Sequence, residues 1–192
     1  LLRGLVDSGI DVIDVGVVPS PLLYFSVFHH DADGGIQITG SHNPAEYNGF
    51  KMMLGKSSLH GAAVQDLKRR IEQGDVFDGV GTLREDPIFD AYIDYVVDNL
   101  NLGPRKLKVV VDGGNGTGGP PAVALLKRLG VEIVERFIEM DGTFPNHHPD
   151  PTVVENLQDV IAAVAEHSAD FGVAYDGDAD RIGVIDERGD II

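Results

Sequence analysis

The 192-residue chain contains no cysteine. Disulfides, thiolate-held metals and cysteine nucleophiles are therefore excluded, and the absence fits a cytoplasmic protein. Basic residues are scarce: 15 Lys and Arg stand against 31 Asp and Glu, for a formal net charge of -16. Nucleic acid and anionic membrane surfaces are themselves strongly negative, so neither is expected as a partner. No apolar run approaches the roughly 20 residues of a membrane span, and no signal peptide opens the sequence. An acidic chain of this kind binds phosphate where it gathers a metal ion and a few Lys or Arg side chains locally.

What remains is an ordinary globular composition, 43% hydrophobic and 24% charged, enough for one large domain or two small ones. The opening "LLRGLVDSGI" reads as the end of a helix already under way, and "RIGVIDERGDII" stops just after a turn at Arg188-Gly189. The expectation is a fragment of a longer protein.

Val- and Ile-rich runs alternate with amphipathic ones. "DVIDVGVVPS", "GIQITGS" and "YNGFKMML" read as strands, and "PLLYFSVFHHDADGG" as a helix that starts on a proline and stops at Gly34-Gly35. "HGAAVQDLKRRIEQGD" carries Ala63, Leu67 and Ile71 on one helical face. "VGTLREDP" has little periodicity and is the candidate boundary between a unit at residues 1–86 and another at 87–192. Beyond it "PIFDAYIDYVVDNLNL" predicts a helix with Ile88, Tyr92, Tyr95, Val96 and Leu100 on one face. Strand "KLKVVVD", helix "PPAVALLKRLG", strand "VEIVERF", helix "TVVENLQDVIAAVAEHS" and strands "DFGVAYD" and "RIGVIDE" follow. The fold class is α/β: two consecutive domains with mixed, largely parallel sheets flanked by helices.

Two short stretches carry the chemistry. In "ITGSHNPAEYNGFK" a serine precedes a histidine, but neighbours in an extended chain point to opposite faces. His42 is thus poorly placed as a base for Ser41, and something else must activate that serine if it is a nucleophile. Lys51, ten positions on and past the Pro44 turn, is able to swing back toward Ser41. In "YDGDADRIG" Asp176, Asp178 and Asp180 alternate with small residues after an apolar strand. Carboxylates at i, i+2 and i+4 share one side of an extended loop and converge on one hard cation, Mg²⁺ rather than Zn²⁺ for oxygen-only ligands. Arg181 follows, with a planar guanidinium suited to phosphate oxygens.

Two rival readings compete. Asp176, Asp178, Asp180 and Glu187 match positions of an EF-hand loop, but Arg181 stands where that loop needs glycine, and the following "IGVID" reads as a strand. Separately, Gly114, Gly116 and Gly119 form G-x-G-x-x-G between a strand and a helix, with Glu135 about 20 residues on, as in a dinucleotide-binding oxidoreductase. Pro120-Pro121 remove N–H donors that a pyrophosphate would use, so the glycines equally serve a tight turn. The adjacent histidines of "FPNHHPDP" suggest a metal site or a rigid proline-braced loop, and His29 and His30 capping or surface residues.

"TGSHNPAEYNGFK" resembles the phosphoserine loop of the α-D-phosphohexomutases, and "DGDADR" resembles their metal-binding loop. "VVVDGGNGTGG" and "FPNHHPDP" are similar to second-domain segments of the bacterial phosphomannomutase/phosphoglucomutase branch. The resemblance implies domains one and two of a four-domain enzyme. It implies that Ser41 carries the phosphoryl group and that its oxygen joins Asp176, Asp178 and Asp180 around Mg²⁺. Arg181 and Lys51 would surround the transferring group, Lys51 as candidate proton acceptor, with His42 and Asn43 in support. The implied partners are hexose phosphates and a hexose 1,6-bisphosphate. Sugar recognition and the distal phosphate clamp belong to the family's third and fourth domains, so this chain alone is expected to lack mutase activity.

Overall fold

The computed structural model describes residues 1–44 and 46–192. Helix α1 (Leu2–Asp7) leads into strand β1 (Val12–Asp14), helix α2 (Ser20–His29) and strands β2 (Gly34–Ile38), β3 (Phe50–Leu54) and β4 (Ser57–Ser58). Helix α3 (Ala62–Glu72) and strand β5 (Leu83–Glu85) follow, then α4 (Phe89–Asn99), β6 (Lys108–Asp112), α5 (Gly119–Arg128) and β7 (Glu132–Arg136). A 3₁₀ turn (Val154–Leu157), α6 (Gln158–His167), β8 (Phe171–Tyr175) and β9 (Ile182–Asp186) end the order.

The mixed α/β class holds, and its parallel part is concentrated in the second unit. There β7-β6-β8-β9 form one sheet, parallel through β8 with β9 antiparallel at the edge. Successive side chains of β6 point to opposite faces. Val109 and Val111 pack with Val123 of α5, while Val110 packs with Val160 and Val164 of α6. The result is a helix–sheet–helix sandwich with the C-terminal ends of β6 and β8 side by side. In the first unit β1 pairs β5 in parallel, and β2-β3-β4 form a separate antiparallel sheet. Ile88, 1% exposed, packs with Val18 and Leu22 and joins α2 to the start of α4.

Four expectations need correction. Gly34-Gly35 do not stop α2. The helix closes at His30, where Asp31 takes a positive φ of 48° and Ala32 N–H donates to Val27 O at 3.0 Å, a Schellman-type end. The two glycines begin β2 because a Cβ on Gly35 would lie 2.7 Å from Val27 of α2, and one on Gly34 2.5 Å from Met53 O. The aperiodic "VGTLREDP" contains a paired strand, β5. On α4 it is Ile93 that is buried, while Tyr95 and Leu100 of the expected face are exposed. The face of α3 bearing Leu67 and Ile71 has the expected period, yet α3 has no buried residue. His30 is the C-cap of α2, one of the two roles expected of it, and its Nε2 is buried without a partner among the described residues. No described helix is long and apolar enough to cross a membrane.

Candidate functional site

Ser41 sits at the tip of the β2–β3 hairpin. Pairing continues past β2 with Thr39 N–H donating to Gly49 O at 3.0 Å, and a tight turn closes with Asn43 N–H on Gly40 O at 2.8 Å. Lys51 lies on the returning arm, opposite Gln37. Ala45 of this loop is outside the described residues. Asp176, Asp178 and Asp180 lie on the turn that leaves β8, where Ala179 N–H donates to Asp176 O at 3.0 Å. The two loops meet although 135 positions separate their key residues: Ser41 Oγ donates to Asp176 Oδ2 at 2.7 Å.

Glycines make this approach physical. A Cβ on Gly177 would lie 2.1 Å from the Ser41 carbonyl oxygen, so only glycine fits beneath the serine. The glycine-rich turn after β6 grips the same loop from the other side. Thr117 N–H donates to Gly177 O at 2.9 Å, and Cβ atoms on Gly116 or Gly118 would collide with Gly177 and Ala179. The space a dinucleotide pyrophosphate would need over this turn is taken by the carboxylate loop, which does not favour the oxidoreductase reading. The EF-hand reading fails because β9, a strand, follows the loop.

The structure brings together Ser41, His42, Lys51, Asp176, Asp178, Asp180 and Arg181; of Asn43, expected in support, it shows the backbone N–H on Gly40 O. One carboxylate oxygen from each of Asp176, Asp178 and Asp180 can be chosen so that all lie within 4.8 Å of one another. Lys51 Nζ is 2.6 Å from Asp178 Oδ2 and 2.5 Å from Asp180 Oδ2. Arg181 Nε is 3.4 Å from Asp176 Oδ2, and its Nη2 donates to Ser41 Oγ at 3.4 Å. His42 requires a correction. Ser41 is not extended but has a φ of +53°, and this bend folds the ring back so that Nδ1 lies 3.1 Å from Ser41 Oγ. The same Nδ1 meets Arg181 Nη2, so the ring is shared between the serine and the guanidinium.

Three supporting residues, Ser20, Thr39 and Asp150, were not singled out from the sequence, and His148 was noted only as one of an adjacent pair. Ser20 and Thr39 hydroxyls donate to Asp178 Oδ2 at 2.9 and 2.8 Å, and Thr39 Oγ1 also accepts the Ser41 N–H at 2.8 Å. Asp150 accepts from Arg181 Nη1 at 3.2 Å and lies 3.9 Å from His42 Nε2; the His148 ring stands 6.4 Å from that of His42. No local pattern marks Ser20 or Asp150, whose partners Asp178 and Arg181 are distant in sequence, and Thr39 acts both on distant Asp178 and on Ser41 two residues away.

Burial pushes the Asp178 carboxyl up, but hydrogen bonds from Lys51, Thr39 and Ser20 and the lysine's charge win, and its pKa stands below the usual carboxylate value. Burial likewise pulls Lys51 down, and the hydrogen bonds and charges of Asp178 and Asp180 reverse this, leaving it raised. Asp150 is lowered: burial opposes ionisation, but Thr152, Arg181 and His42 outweigh it. The donor set fits a hard divalent cation. It is oxygen-only, and Asp178 Oδ1 is buried with no hydrogen-bond partner among the described residues.

A serine on a hairpin tip thus stands against a carboxylate loop at the end of β8, with two cationic side chains between them, on a mixed α/β fold. The family model "Phosphoglucomutase/phosphomannomutase, alpha/beta/alpha domain II" matches residues 90–189, and that for domain I matches residues 1–76. The chain belongs to the phosphoglucomutase/phosphomannomutase family. It is 50% identical over 192 residues to a phosphoglucomutase of Neisseria gonorrhoeae, covering 99% of this chain and 42% of that protein. With a phosphomannomutase/phosphoglucomutase of Pseudomonas aeruginosa it shares 44% identity over all of this chain and 41% of the other. A crystal structure of a phosphoglucomutase/phosphomannomutase family protein from Burkholderia thailandensis superposes with a TM-score of 0.93 at 46% identity, over 98% of this chain and 43% of that one. The chain thus spans well under half the length of these relatives.

Proposed function

We propose that this chain carries the phosphoryl-transfer part of a phosphohexomutase that interconverts hexose 1-phosphate and hexose 6-phosphate through a phosphoserine at Ser41 and a bisphosphate intermediate. The observation that supports it is the 2.7 Å contact of Ser41 Oγ with Asp176, within reach of Arg181 and beside the carboxylate trio. On this reading the enzyme is a phosphomutase of the isomerase class. On the same reading the two units are residues 1–86 and 87–192, and the pairing of β5 with β1 supports counting β5 with the first.

Charge balance favours the reading. Four carboxylates, Asp176, Asp178, Asp180 and Asp150, face two cations, Lys51 and Arg181, which leaves two net negative charges. A dication neutralises that deficit, so that a phosphoserine of about -1.5 to -2 no longer meets a net negative site. Asp176, Asp178, Asp180 and an oxygen at Ser41 would hold Mg²⁺, which when bound supplies Lewis-acid polarisation of a phosphoryl oxygen.

The remaining chemistry belongs to the side chains. In the forward step the Ser41 Oγ–P bond breaks, a sugar hydroxyl oxygen bonds to phosphorus, and the hydroxyl proton leaves to a base. Arg181 holds the transferring oxygens, with its aim set by Asp150. Lys51 is the proposed proton acceptor. In the geometry described its ammonium is held by Asp178 and Asp180, so that role requires these carboxylates to turn to the cation and the ammonium first to release a proton to solvent, leaving a neutral amine to take the hydroxyl proton. Return of the other phosphate to Ser41 restores the enzyme. Such chemistry depends on in-line positioning and charge neutralisation more than on a strong nucleophile.

Intact mass and peptide mapping of protein made in cells test the proposal. Phosphate is expected on Ser41 and absent in Ser41→Ala. Phosphate confined to other serines, such as Ser57 or Ser58, would overturn it.

A further inference from the structure

Outside the reacting groups, the second unit buries a carboxylate–histidine contact that the phosphoryl chemistry does not use. Asp112, at the end of β6, has no exposed surface. Its Oδ1 accepts Gly114 N–H at 2.8 Å, and its Oδ2 lies 3.0 Å from Nε2 of His147, whose side chain is 11% exposed. The other ring nitrogen, Nδ1, lies 3.0 Å from the His148 carbonyl oxygen.

A neutral imidazole has one donor and one acceptor nitrogen. Here both nitrogens face acceptors, a carboxylate and a carbonyl, so a neutral ring would turn a lone pair against one of them. A doubly protonated ring donates to both at once and sets a positive charge against the Asp112 carboxylate. The surroundings agree. The hydrogen bond to Asp112 raises the His147 pKa, burial opposes it, and the His148 carbonyl and the charges of Asp112 and of Asp159 on α6 add to the rise. The Phe137 ring packs edge-on 5.4 Å away and brings no charge.

The His148 carbonyl is shared. Besides facing His147 Nδ1 it accepts the Asp150 N–H at 2.8 Å, and Asp150 is the carboxylate that holds Arg181 Nη1 at 3.2 Å. One link earlier, Asn146 Nδ2 donates to Asn115 Oδ1 at 2.7 Å. A continuous chain of contacts therefore runs from the buried Asp112 to the guanidinium beside Ser41.

We propose that His147, protonated on both nitrogens between Asp112 and the His148 carbonyl, is a positioning residue: it fixes the segment 146–150 so that Asp150 aims Arg181 at Ser41. What Arg181 serves there rests on the phosphoryl-transfer reading; the state of His147 does not. Loss of the ring proton leaves Asp112 buried against a lone pair, loosens the segment and releases Arg181 at alkaline pH. The sign for stability follows from linkage. A histidine raised on folding adds stability that is full below its unfolded value of about 6.5 and is lost as pH rises through the raised value.

The experiment is ¹⁵N NMR of the histidine rings and of the Arg181 Nε–H across pH 5.5–9.5, in the unaltered chain and in Asp112→Asn. Two protons on the His147 ring are expected at pH 7, with a titration midpoint at least about one unit lower in Asp112→Asn, a tenfold change in the protonation equilibrium. Arg181 Nε–H should shift with the His147 midpoint. The unfolding midpoint should fall with pH above about 6.5 in the unaltered chain and less steeply in the variant. A single proton on His147 at pH 7 overturns the proposal, as does an Arg181 signal indifferent to its titration. Both are read on the unaltered chain, so poor folding of the variant does not blunt the test. A singly protonated ring with phosphate on Ser41 would refute the positioning role of His147 alone; a doubly protonated ring with no Ser41 phosphate would count against the function alone.

Discussion

Residues from Phe89 onward enclose their sheet between α5 and α6, and Val109, Val110, Val111, Val160 and Val164 are all 1% exposed or less. Residues before 87 divide their strands between two small sheets, and α3 buries nothing. The close-packed unit holds the carboxylates and Arg181, the groups that repel or must be aimed. The more open unit contributes Ser41 and Lys51 on a hairpin. Mutual repulsion among carboxylates calls for a frame that does not yield, and a buried four-stranded sheet supplies one. A hairpin that presents one hydroxyl and one ammonium needs less.

The contrast is most easily broken with core truncations. Leu157→Ala should lower stability by about 2–5 kcal/mol, since Leu157 is 1% exposed in the α6 cluster. Ile71→Ala on α3, where the side chain is exposed, should change it by no more than about 0.5 kcal/mol. Urea unfolding of both variants measures this, and equal losses would show that the two units are equally well packed. Gly177→Ala probes the seam between them. Its Cβ has no room against the Ser41 carbonyl, and overpacking of this kind costs about 1–3 kcal/mol. Thermal unfolding should show the loss, and the Ser41 amide resonance should move; an unmoved amide would place the seam elsewhere. The smallest effect is Mg²⁺ linkage. At tenfold excess over Kd, binding adds about 1.4 kcal/mol, and Asp178→Asn should remove most of the resulting rise in unfolding midpoint. An undiminished rise in the variant would move the cation away from the trio.

Much of this arrangement was legible in the residues. Alternating Asp176, Asp178 and Asp180 after an apolar run announced a convergent carboxylate loop, and Arg181 its company. The order of helices and strands followed from period and punctuation. Failures came where a distant contact decides a local shape. Gly34-Gly35 look like a helix stop in one dimension, and only the proximity of Val27 and Met53 shows them to be a close helix–strand crossing. His42 looked averted from Ser41 because extended backbone was assumed, while the serine's left-handed bend depends on the hairpin turn and Thr39. Ser20, Thr39 and Asp150 carry no signature of their own, and the pair that includes His148 pointed to a metal or a braced loop rather than to the ring of His42. The glycines after β6 imitate a nucleotide turn for a physical reason: both uses need backbone approached closely, there by a phosphate and here by another loop.

The contact between Gly177 and the Ser41 carbonyl bears on mechanical tolerance. Two surfaces that meet through side chains have rotamers in reserve, so a small relative slip is absorbed by rearrangement. Where main chain rests on main chain there is no such slack. Any shift of one unit against the other passes undiminished to the distance between Ser41 Oγ and Asp176. Misplacement of a reacting group by about 1 Å costs on the order of a hundredfold in rate. The absent side chain of Gly177 therefore acts as a reference stop, and the alignment of the two loops is only as good as the rigidity of what lies behind them.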